Sequence, residues 1–160
     1  MSAKVKVGFG FDVHQLVEGR PFVLGGVTIP HEKGLLGHSD ADALLHAICD
    51  ALLGAAGLED IGTHFPDTDE KYKNIDSKIL YRETLGLITQ KGFKIGNIDA
   101  TVVLEKPKLK PFIPQLRKSI SELSNIEITD VTVKATTNEK MGFIGRKEGV
   151  AVYAVCLLYV

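Results

Sequence analysis

Asp12, His14 and His46 are the residues whose types point most directly to chemistry, because two imidazoles and one carboxylate form a common ligand set for a divalent metal. Asp12 and His14 stand two residues apart at the end of a segment, 4–14, in which apolar residues alternate with other types. Such alternation predicts a β-strand, in which positions i and i+2 lie on the same face. The spacing therefore predicts two ligands of an open metal site that suits zinc and also accepts manganese or cobalt.

The third candidate ligand, His46, stands in a segment with helical periodicity. The apolar residues that recur at helical spacing are Leu44, Leu45, Ile48, Cys49 and Leu52. Ser39 is a favourable N-cap residue, and Asp42 three residues later gives a weak form of the capping box. His46 lies at the edge of the apolar face, where Asp42 or Asp50, one turn away on either side, would hold its ring tautomer. The alternative interpretation is that His46 binds no metal and is an ordinary histidine at the edge of the core.

The rest of the chain contains further strand and helix patterns. Phe22–Leu24 and Val27–Ile29 flank Gly25-Gly26, which predicts a hairpin with a two-residue turn. The other predicted elements are a helix after Ser39 that ends near Gly54 or Gly57, helices over about 77–90 and 113–123, and strands over 98–104, 131–135 and 149–160. This order predicts an α+β fold, a two-layer sandwich whose mixed, largely antiparallel sheet carries helices on one face. No linker or repeat divides the pattern, so we expect a single domain over residues 1–160.

Two polar segments are candidate binding loops. Residues 58–76 are rich in Asp, Gly and Thr, and Phe65-Pro66 at their centre is unexpected in a purely solvated connection. Loops of this length in a compact domain are often functional. In the second segment, 135–146, successive hydroxyls and backbone N–H groups at a strand end suit phosphate oxygens, and Glu139 would add an oxygen ligand for magnesium. Spacing alone favours an ordinary capped turn there.

Composition limits the classes of partner. The chain has 160 residues, of which 44% are apolar, and a formal net charge of −1, so we expect a substantial core and neither nucleic acid nor an anionic membrane surface as partner. Cys49 and Cys156 stand in apolar segments, so we expect them to be buried free thiols rather than a disulfide pair or metal ligands. This fits a reducing compartment. The start of the chain leads straight into a strand, so we expect no signal peptide and a cytoplasmic location, or a plastid-type organelle if a transit peptide has been removed.

The last predicted strand also predicts assembly. Residues 150–160 are too few to span a membrane, and they carry apolar side chains on both faces of the strand. One face can pack on the helices, whereas the other needs a cover that a two-layer domain does not provide. A closed ring of identical subunits would bury it.

Four motifs together resemble the 2-C-methyl-D-erythritol 2,4-cyclodiphosphate synthase family, in order and over essentially the whole chain. They are Asp12-Val13-His14, His38-Ser39-Asp40-Ala41-Asp42 through His46, Asp60-Ile61-Gly62 with His64-Phe65-Pro66-Asp67-Thr68-Asp69, and Ala135-Thr136-Thr137 through Phe143. The resemblance implies conversion of 4-diphosphocytidyl-2-C-methyl-D-erythritol 2-phosphate to the cyclic diphosphate and CMP, a phosphorus–oxygen lyase reaction of the non-mevalonate isoprenoid pathway. It also implies a homotrimer with one active site at each subunit interface.

The resemblance further implies roles for individual residues. Asp12, His14 and His46 would bind zinc, Glu139 would bind magnesium, and His38 and Thr137 would be catalytic. The residues that would contact substrate are Asp12, His14, His38, Ser39, Asp60, Ile61, Gly62, Phe65, Pro66, Asp67, Thr68, Asp69, Leu104, Glu105, Lys106, Pro107, Lys108, Leu109, Lys110, Thr136, Thr137, Asn138, Glu139, Phe143 and Arg146.

Some of these implied contacts have a particular place in the assembly. Residues 104–110 would form the cytosine pocket from an adjoining subunit. Phe143 and Arg146 would lie near a central cavity that holds an isoprenoid diphosphate in some members of the family. Asn138 departs from the threonine that the family often has at this position. The family pattern therefore leaves open whether the Asn138 side chain makes the phosphate contact of that threonine.

Ring closure is an intramolecular phosphoryl transfer in which the 2-phosphate attacks the β-phosphorus and CMP leaves, so no Ser, Cys or Lys nucleophile is needed. Zinc would act as Lewis acid and template, and magnesium would bridge the α- and β-phosphates.

Two other functions fit the same three ligands. A zinc-dependent phosphohydrolase would need a nearby general base and would give a linear product. A non-catalytic, zinc-stabilised binding protein would need a closed site with four protein ligands.

Overall fold

The computed structural model describes residues 4–160 and contains seven strands in two sheets. In chain order the strands are β1 (Val5–Glu18), β2 (Phe22–Leu24), β3 (Val27–Ile29), β4 (Lys33–Leu36), β5 (Lys94–Val103), β6 (Val131–Thr136) and β7 (Gly149–Tyr159). The predicted hairpin is confirmed, since β2 pairs with β3 and both turn glycines have positive φ. β4 was not predicted, because its four residues show no alternation of apolar and polar types.

The main sheet has the strand order β4-β1-β7-β5-β6. Only β5 and β6 run parallel, whereas the β1–β4, β1–β7 and β5–β7 pairs are antiparallel. The predicted mixed, largely antiparallel sheet is therefore confirmed. Two strands are longer than predicted: β1 continues past His14 to Glu18, and β5 begins at Lys94 rather than Ile98.

Five helices complete the described part of the chain: α1 (Ala43–Ala55), α2 (Ile61–His64), α3 (Ser77–Gln90), α4 (Ile113–Ser124) and α5 (Gly142–Gly145). The predicted helices over 77–90 and 113–123 are confirmed. The prediction that 58–76 is a long loop is wrong in part, because α2 and a 3₁₀ turn, Glu70–Tyr72, lie within it. These elements are too short for periodicity to show, and they are stabilised by packing of Phe65 against Tyr72 and Leu80. None of the described helices has the length and apolar character needed to cross a bilayer.

Asp42, not Ser39, is the N-cap of α1. Its buried carboxylate accepts hydrogen bonds from the backbone N–H groups of Leu45 (2.9 Å), Gly25 (2.8 Å) and Gly26 (2.7 Å). Burial raises the pKa of this carboxyl group to about 6, although the backbone donors favour the ionised form. The expected start of the helix was wrong because Asp42 stabilises two elements at once, the helix end and the hairpin turn, and this tertiary contact leaves no trace in local spacing.

The helix α1 packs directly on β1 because two positions of the strand have no side chain. A Cβ atom at Gly8 would overlap the carbonyl oxygen of Ala51, and one at Gly10 would overlap that of Ala47. The alternation of β1 therefore places glycines, Asp12 and His14 towards the helix layer. The opposite face of β1 and β7 carries exposed apolar side chains, namely Val5, Val7, Phe9, Phe11, Val13, Tyr153, Val155 and Tyr159.

Gly10→Ala should destabilise the protein by about 1–3 kcal/mol, since α1 must move away from β1 to accept the methyl group. The matched control is Gly54→Ala on α1, where a Cβ atom meets nothing within 4 Å. That substitution should stabilise by about 0.5–1 kcal/mol, because alanine favours helix over glycine. Urea unfolding at equal protein concentration measures both changes. Equal stability of Gly10→Ala and wild type would contradict the close approach of α1.

Candidate metal centre and substrate cleft

The three predicted metal ligands lie together where β1 meets α1. Asp12 Oδ2 lies 2.8 Å from His14 Nε2 and 3.3 Å from His46 Nδ1. One potential ligand atom from each of the three residues lies within 4.8 Å of the other two. The close packing of α1 on β1 is what brings His46 over the strand face that carries Asp12 and His14. The described residues thus include a three-ligand cluster of the kind that the sequence predicted.

The hydrogen bond of His14 explains why this cluster suits a cation. His14 Nδ1 donates to the carbonyl oxygen of Leu36 at 2.8 Å, so the lone pair of the neutral ring is on Nε2 and faces Asp12. Asp12 Oδ2 and His14 Nε2 are both buried and have no hydrogen-bond partner of suitable geometry. Two buried acceptors that face each other at short range require a positive charge, which a divalent metal supplies.

The pKa values of the two residues reflect the same electrostatics. Burial disfavours the ionised form of Asp12, but the imidazoles of His14 and His46 outweigh burial and lower its pKa. Burial likewise opposes protonation of His14, but Asp12 and the Leu36 carbonyl outweigh it and raise the pKa of His14 above 6.5. In the metal-free protein, therefore, a proton on His14 supplies part of the charge that the cluster needs.

A cleft of about 500 Å³ opens beside the metal ligands. Its lining brings together most of the first three motifs and adds three residues that sequence reasoning missed, Gly37, Tyr72 and Leu80. The predicted residues in the lining are Asp12, His14, His38, Ser39, His46, Ile61, Gly62, Phe65, Pro66, Asp67 and Thr68. Leu80 gave no signal because it has the sequence pattern of an ordinary core residue of a helix, and Tyr72 gave none because no periodicity marks the polar segment that contains it.

Two predicted aspartates at the edge of this region have structural contacts. The carboxylate of Asp60 caps α2 through the N–H and hydroxyl of Thr63, and that of Asp69 caps the 3₁₀ turn through Lys71 N–H. The backbone of Asp69 also holds His38, whose Nε2 donates to the Asp69 carbonyl at 3.1 Å. The loop that carries His38 is therefore attached to the segment on the other side of the cleft.

The predicted phosphate loop lies on a different part of the chain, at the end of β6. The carboxylate of Glu105 accepts hydrogen bonds from the backbone N–H groups of Asn138 (2.9 Å) and Lys140 (3.0 Å). Thr137 Oγ1 accepts from the N–H of Glu139 at 3.2 Å. Glu139 and Lys140 both have positive φ, as the central residues of a type I′ turn that the N–H of Met141 closes on the carbonyl oxygen of Asn138 at 2.9 Å. Glu105 thus ties the predicted cytosine loop to the predicted phosphate loop.

The structure does not bring these residues to the metal cleft of the same chain. Among residues 4–160, the lining of that cleft includes no member of 104–110 or 136–139. Lys106, Pro107 and Lys108 line a separate groove of about 430 Å³. Phe143 lines a third groove with His14, and Arg146 forms an ion pair with Glu148 at 2.8 Å. The predicted site residues therefore lie on separate surfaces of the described chain.

The expected partners of His46 are wrong. The carboxylate of Asp42 caps α1, and that of Asp50 accepts from the N–H of Ile61 at 2.7 Å. His46 Nε2 instead lies 2.8 Å from Ser77 Oγ, on a different helix. Helical spacing finds only neighbours on the same helix, so it could not identify a partner 31 residues further along the chain.

The model of the YgbB family matches residues 5–159, nearly the whole chain. The chain belongs to this family. Its relatives include the 2-C-methyl-D-erythritol 2,4-cyclodiphosphate synthases of Bacteroides fragilis, 62% identical over 97% of this chain and 98% of the relative, and of Syntrophobacter fumaroxidans, 60% identical over 96% of this chain and 97% of the relative. Both relatives have the name of the family that the four motifs resemble.

Solved structures of the family have the same fold. A 2C-methyl-D-erythritol-2,4-cyclodiphosphate synthase in a CDP-bound form superimposes with a TM-score of 0.88 at 38% identity, covering 96% of this chain and 99% of that one. The bifunctional IspDF from Campylobacter jejuni superimposes with a TM-score of 0.95 at 46% identity over 99% of this chain. This chain spans 43% of the length of that bifunctional protein.

Metal affinity should depend on pH in a direction that follows from the raised pKa of His14. A metal needs the neutral ring, so protons compete with it, and the apparent zinc affinity should begin to fall at a pH above 6.5 as the solution is acidified. For the metal-free protein, the His14–Asp12 pair should stabilise the fold below pH 6.5 and lose this effect as the pH rises through the raised pKa. Calorimetric zinc titrations across this range measure the affinity. An affinity that does not change with pH would exclude His14 as a ligand.

Proposed function

We propose that this chain converts 4-diphosphocytidyl-2-C-methyl-D-erythritol 2-phosphate to 2-C-methyl-D-erythritol 2,4-cyclodiphosphate and CMP, a step of non-mevalonate isoprenoid synthesis. The observation that carries the proposal is the open three-ligand cluster beside a cleft, in a chain 62% identical to a synthase of that name. Three protein ligands leave room for a phosphate oxygen, as catalytic zinc sites do. We assign the reaction to the phosphorus–oxygen lyases.

The protein's task in this reaction is to fold the substrate. The 2-phosphate oxygen forms a bond to the β-phosphorus while the bond from that phosphorus to the CMP oxygen breaks, so the leaving group departs with the electron pair. Holding the 2-phosphate in line with the diphosphate raises the effective concentration of the attacking oxygen at the β-phosphorus. Zinc held by Asp12, His14 and His46, and magnesium held by Glu139, would supply positive charge against the phosphate oxygens.

The residues of the cleft have complementary roles in this proposal. His38 and Ser39 contact the diphosphate and the erythritol end from one wall. Residues 60–69 surround the methylerythritol hydroxyls from the other wall, which the hydrogen bond between His38 and the Asp69 carbonyl joins to the first. Thr136, Thr137 and Asn138 bind the diphosphate, and the Thr137 hydroxyl stabilises it best in the transition state.

We infer a closed ring of subunits from the exposed face of the sheet, and the family resemblance implies that this ring is a homotrimer. Phe9 and Phe11 of β1 are 62% and 43% exposed, and they pair across the strands with Val155 and Tyr153 of β7, which are 43% and 42% exposed. A continuous apolar surface of this kind marks an interface between subunits. Closed cyclic symmetry would bury it without leaving a free adhesive surface.

A trimer would also complete the divided site. The metal cleft of one subunit would face residues 104–110 and 136–139 of its neighbour, with the cytosine bound by Lys106, Pro107, Lys108 and the residues that flank them. The CDP-bound form of a 38% identical synthase supports a cytidine nucleotide as ligand. Phe143 and Arg146 would lie near the threefold axis, where the cavity would accept an isoprenoid diphosphate.

The product identifies the reaction. With the named substrate and zinc and magnesium present, we expect equimolar CMP and a cyclic diphosphate, which ³¹P NMR distinguishes from linear products. His46→Ala should retain its fold but lose bound zinc and CMP release, because the cluster holds an open site rather than the core. His64→Gln is the matched control, since His64 contacts the carbonyl of Leu58 away from the cluster. A linear phosphate as product would identify a hydrolase instead. Full activity of metal-free His46→Ala would exclude the metal mechanism.

Mixing two inactive variants tests whether the site is shared. If the metal half and the nucleotide half come from different subunits, trimers of His46→Ala and Lys108→Ala should recover part of the CMP release after subunit exchange. Each variant mixed with itself is the control, and sedimentation at micromolar concentration establishes the trimer. No recovery after verified exchange, or an active monomer, would place the whole site in one chain.

A further inference from the structure

Ser77, the first residue of α3, connects the metal cluster to a carboxylate that lies outside it. The residue is fully buried, and its backbone N–H donates to Asp40 Oδ2 at 3.0 Å. Its hydroxyl donates to Asp40 Oδ1, which also accepts from the N–H of Asp42. Both donors of Ser77 are therefore used by one carboxylate.

This arrangement fixes the direction of the next hydrogen bond. A serine hydroxyl has one proton, and a carboxylate can only accept, so the proton of Ser77 points to Asp40. Ser77 Oγ can then only accept from His46 Nε2, which lies 2.8 Å away. Ser39 Oγ lies further from the same nitrogen, at 3.4 Å, and accepts from the N–H of Ala41. Because the closer of the two oxygens, Ser77 Oγ, offers only a lone pair, the neutral ring of His46 carries its proton on Nε2 and its lone pair on Nδ1.

The lone pair on Nδ1 is the one that the metal cluster needs. His46 Nδ1 is the ring atom that faces Asp12 Oδ2, at 3.3 Å. His14 has the opposite assignment, because the Leu36 carbonyl takes its Nδ1 proton and leaves Nε2 to face Asp12. One ring is thus oriented by a backbone carbonyl and the other by a side-chain pair. Hydrogen bonds of this type fix the tautomer of histidines that bind metals.

We propose that Ser77, held by Asp40, is a positioning residue that keeps His46 in the Nε2–H tautomer and so presents Nδ1 to a divalent cation. The proposal deepens the proposed function and rests on the metal site assigned there. The backbone beside Ser77 is attached to the His38–Asp40 loop through the N–H of Asp40 on the Ile75 carbonyl (3.1 Å) and the N–H of Asn74 on the His38 carbonyl (2.7 Å).

Two variants change the hydrogen bond between His46 Nε2 and Ser77 Oγ in different ways. Ser77→Ala removes the acceptor but leaves the backbone N–H that binds Asp40. Asp40→Asn removes no heavy atom but replaces one acceptor with a donor, so the Ser77 hydroxyl can turn its proton towards His46 Nε2 and favour the wrong tautomer. The matched control is Ser124→Ala, which removes another buried serine hydroxyl, hydrogen-bonded to Tyr81 Oη at 2.5 Å.

The first measurement is zinc affinity, by competition with a chelator. We expect Ser77→Ala and Asp40→Asn to weaken zinc binding about 10–100-fold, the usual effect of losing an outer partner of a metal-bound histidine. Ser124→Ala should change it less than about twofold. Unchanged zinc affinity in a folded Ser77→Ala protein, with lower thermal stability alone, would mean that Ser77 is merely structural and would overturn the proposal.

The second measurement reads the tautomer in the wild-type, metal-free protein. ¹⁵N-labelled histidine distinguishes protonated from unprotonated ring nitrogens, and the His46 signals are assigned by their loss in His46→Ala. At a pH well above the ordinary histidine pKa of about 6.5, we expect the proton on Nε2, and a mixture of tautomers in Ser77→Ala. A proton on Nδ1 in the wild type would overturn the proposal even if zinc binds. Absence of zinc binding by the wild type, with the proton on Nε2, would instead contradict the proposed metal function.

Discussion

The backbone contact between α1 and β1 is the constraint on which the site and the sheet both depend. Gly8 and Gly10 lack the Cβ atoms that would strike the carbonyl oxygens of Ala51 and Ala47. Because Ala47 follows His46 and Gly10 precedes Asp12 by two residues, this contact sets the register in which His46 meets the strand face that carries Asp12 and His14. A site built on two packed regular elements holds its ligands more precisely than a loop does.

The same contact determines the roles of the two faces of the sheet. Small residues and metal ligands face the helices, so the larger apolar residues of β1, such as Phe9 and Phe11, face outward. In a monomer this is a costly exposure of apolar surface. In the proposed trimer it becomes the interface, and the residues that the subunit's own core excludes would hold the assembly together.

The division of the candidate site follows from this arrangement. The metal cleft lies where the second half of β1 meets the first turn of α1, whereas Glu105 organises the phosphate loop at the ends of β5 and β6. The proposed reaction needs both surfaces at once, so assembly and catalysis would be coupled. Within the cleft, the hydrogen bonds of His14 with Leu36 and of His46 with Ser77 direct opposite ring nitrogens to Asp12. In the proposed metal site, these outer contacts would orient both rings towards the cation.

The sequence by itself determined the elements with regular periodicity, the α+β class, the Gly25-Gly26 turn and the shared strand face of Asp12 and His14, because alternation along a strand and spacing along a helix are local properties. The family resemblance, not helical spacing, added His46 to this pair. The sequence also identified the apolar strand that needs a cover. Only the tertiary structure decided that Asp42 rather than Ser39 caps α1, that residues 61–64 form a helix, and that Ser77 rather than Asp42 or Asp50 contacts His46. Each of these depends on atoms far apart in the chain. A carboxylate or hydroxyl can satisfy any of several nearby donors, and only packing selects which of them comes within hydrogen-bonding distance.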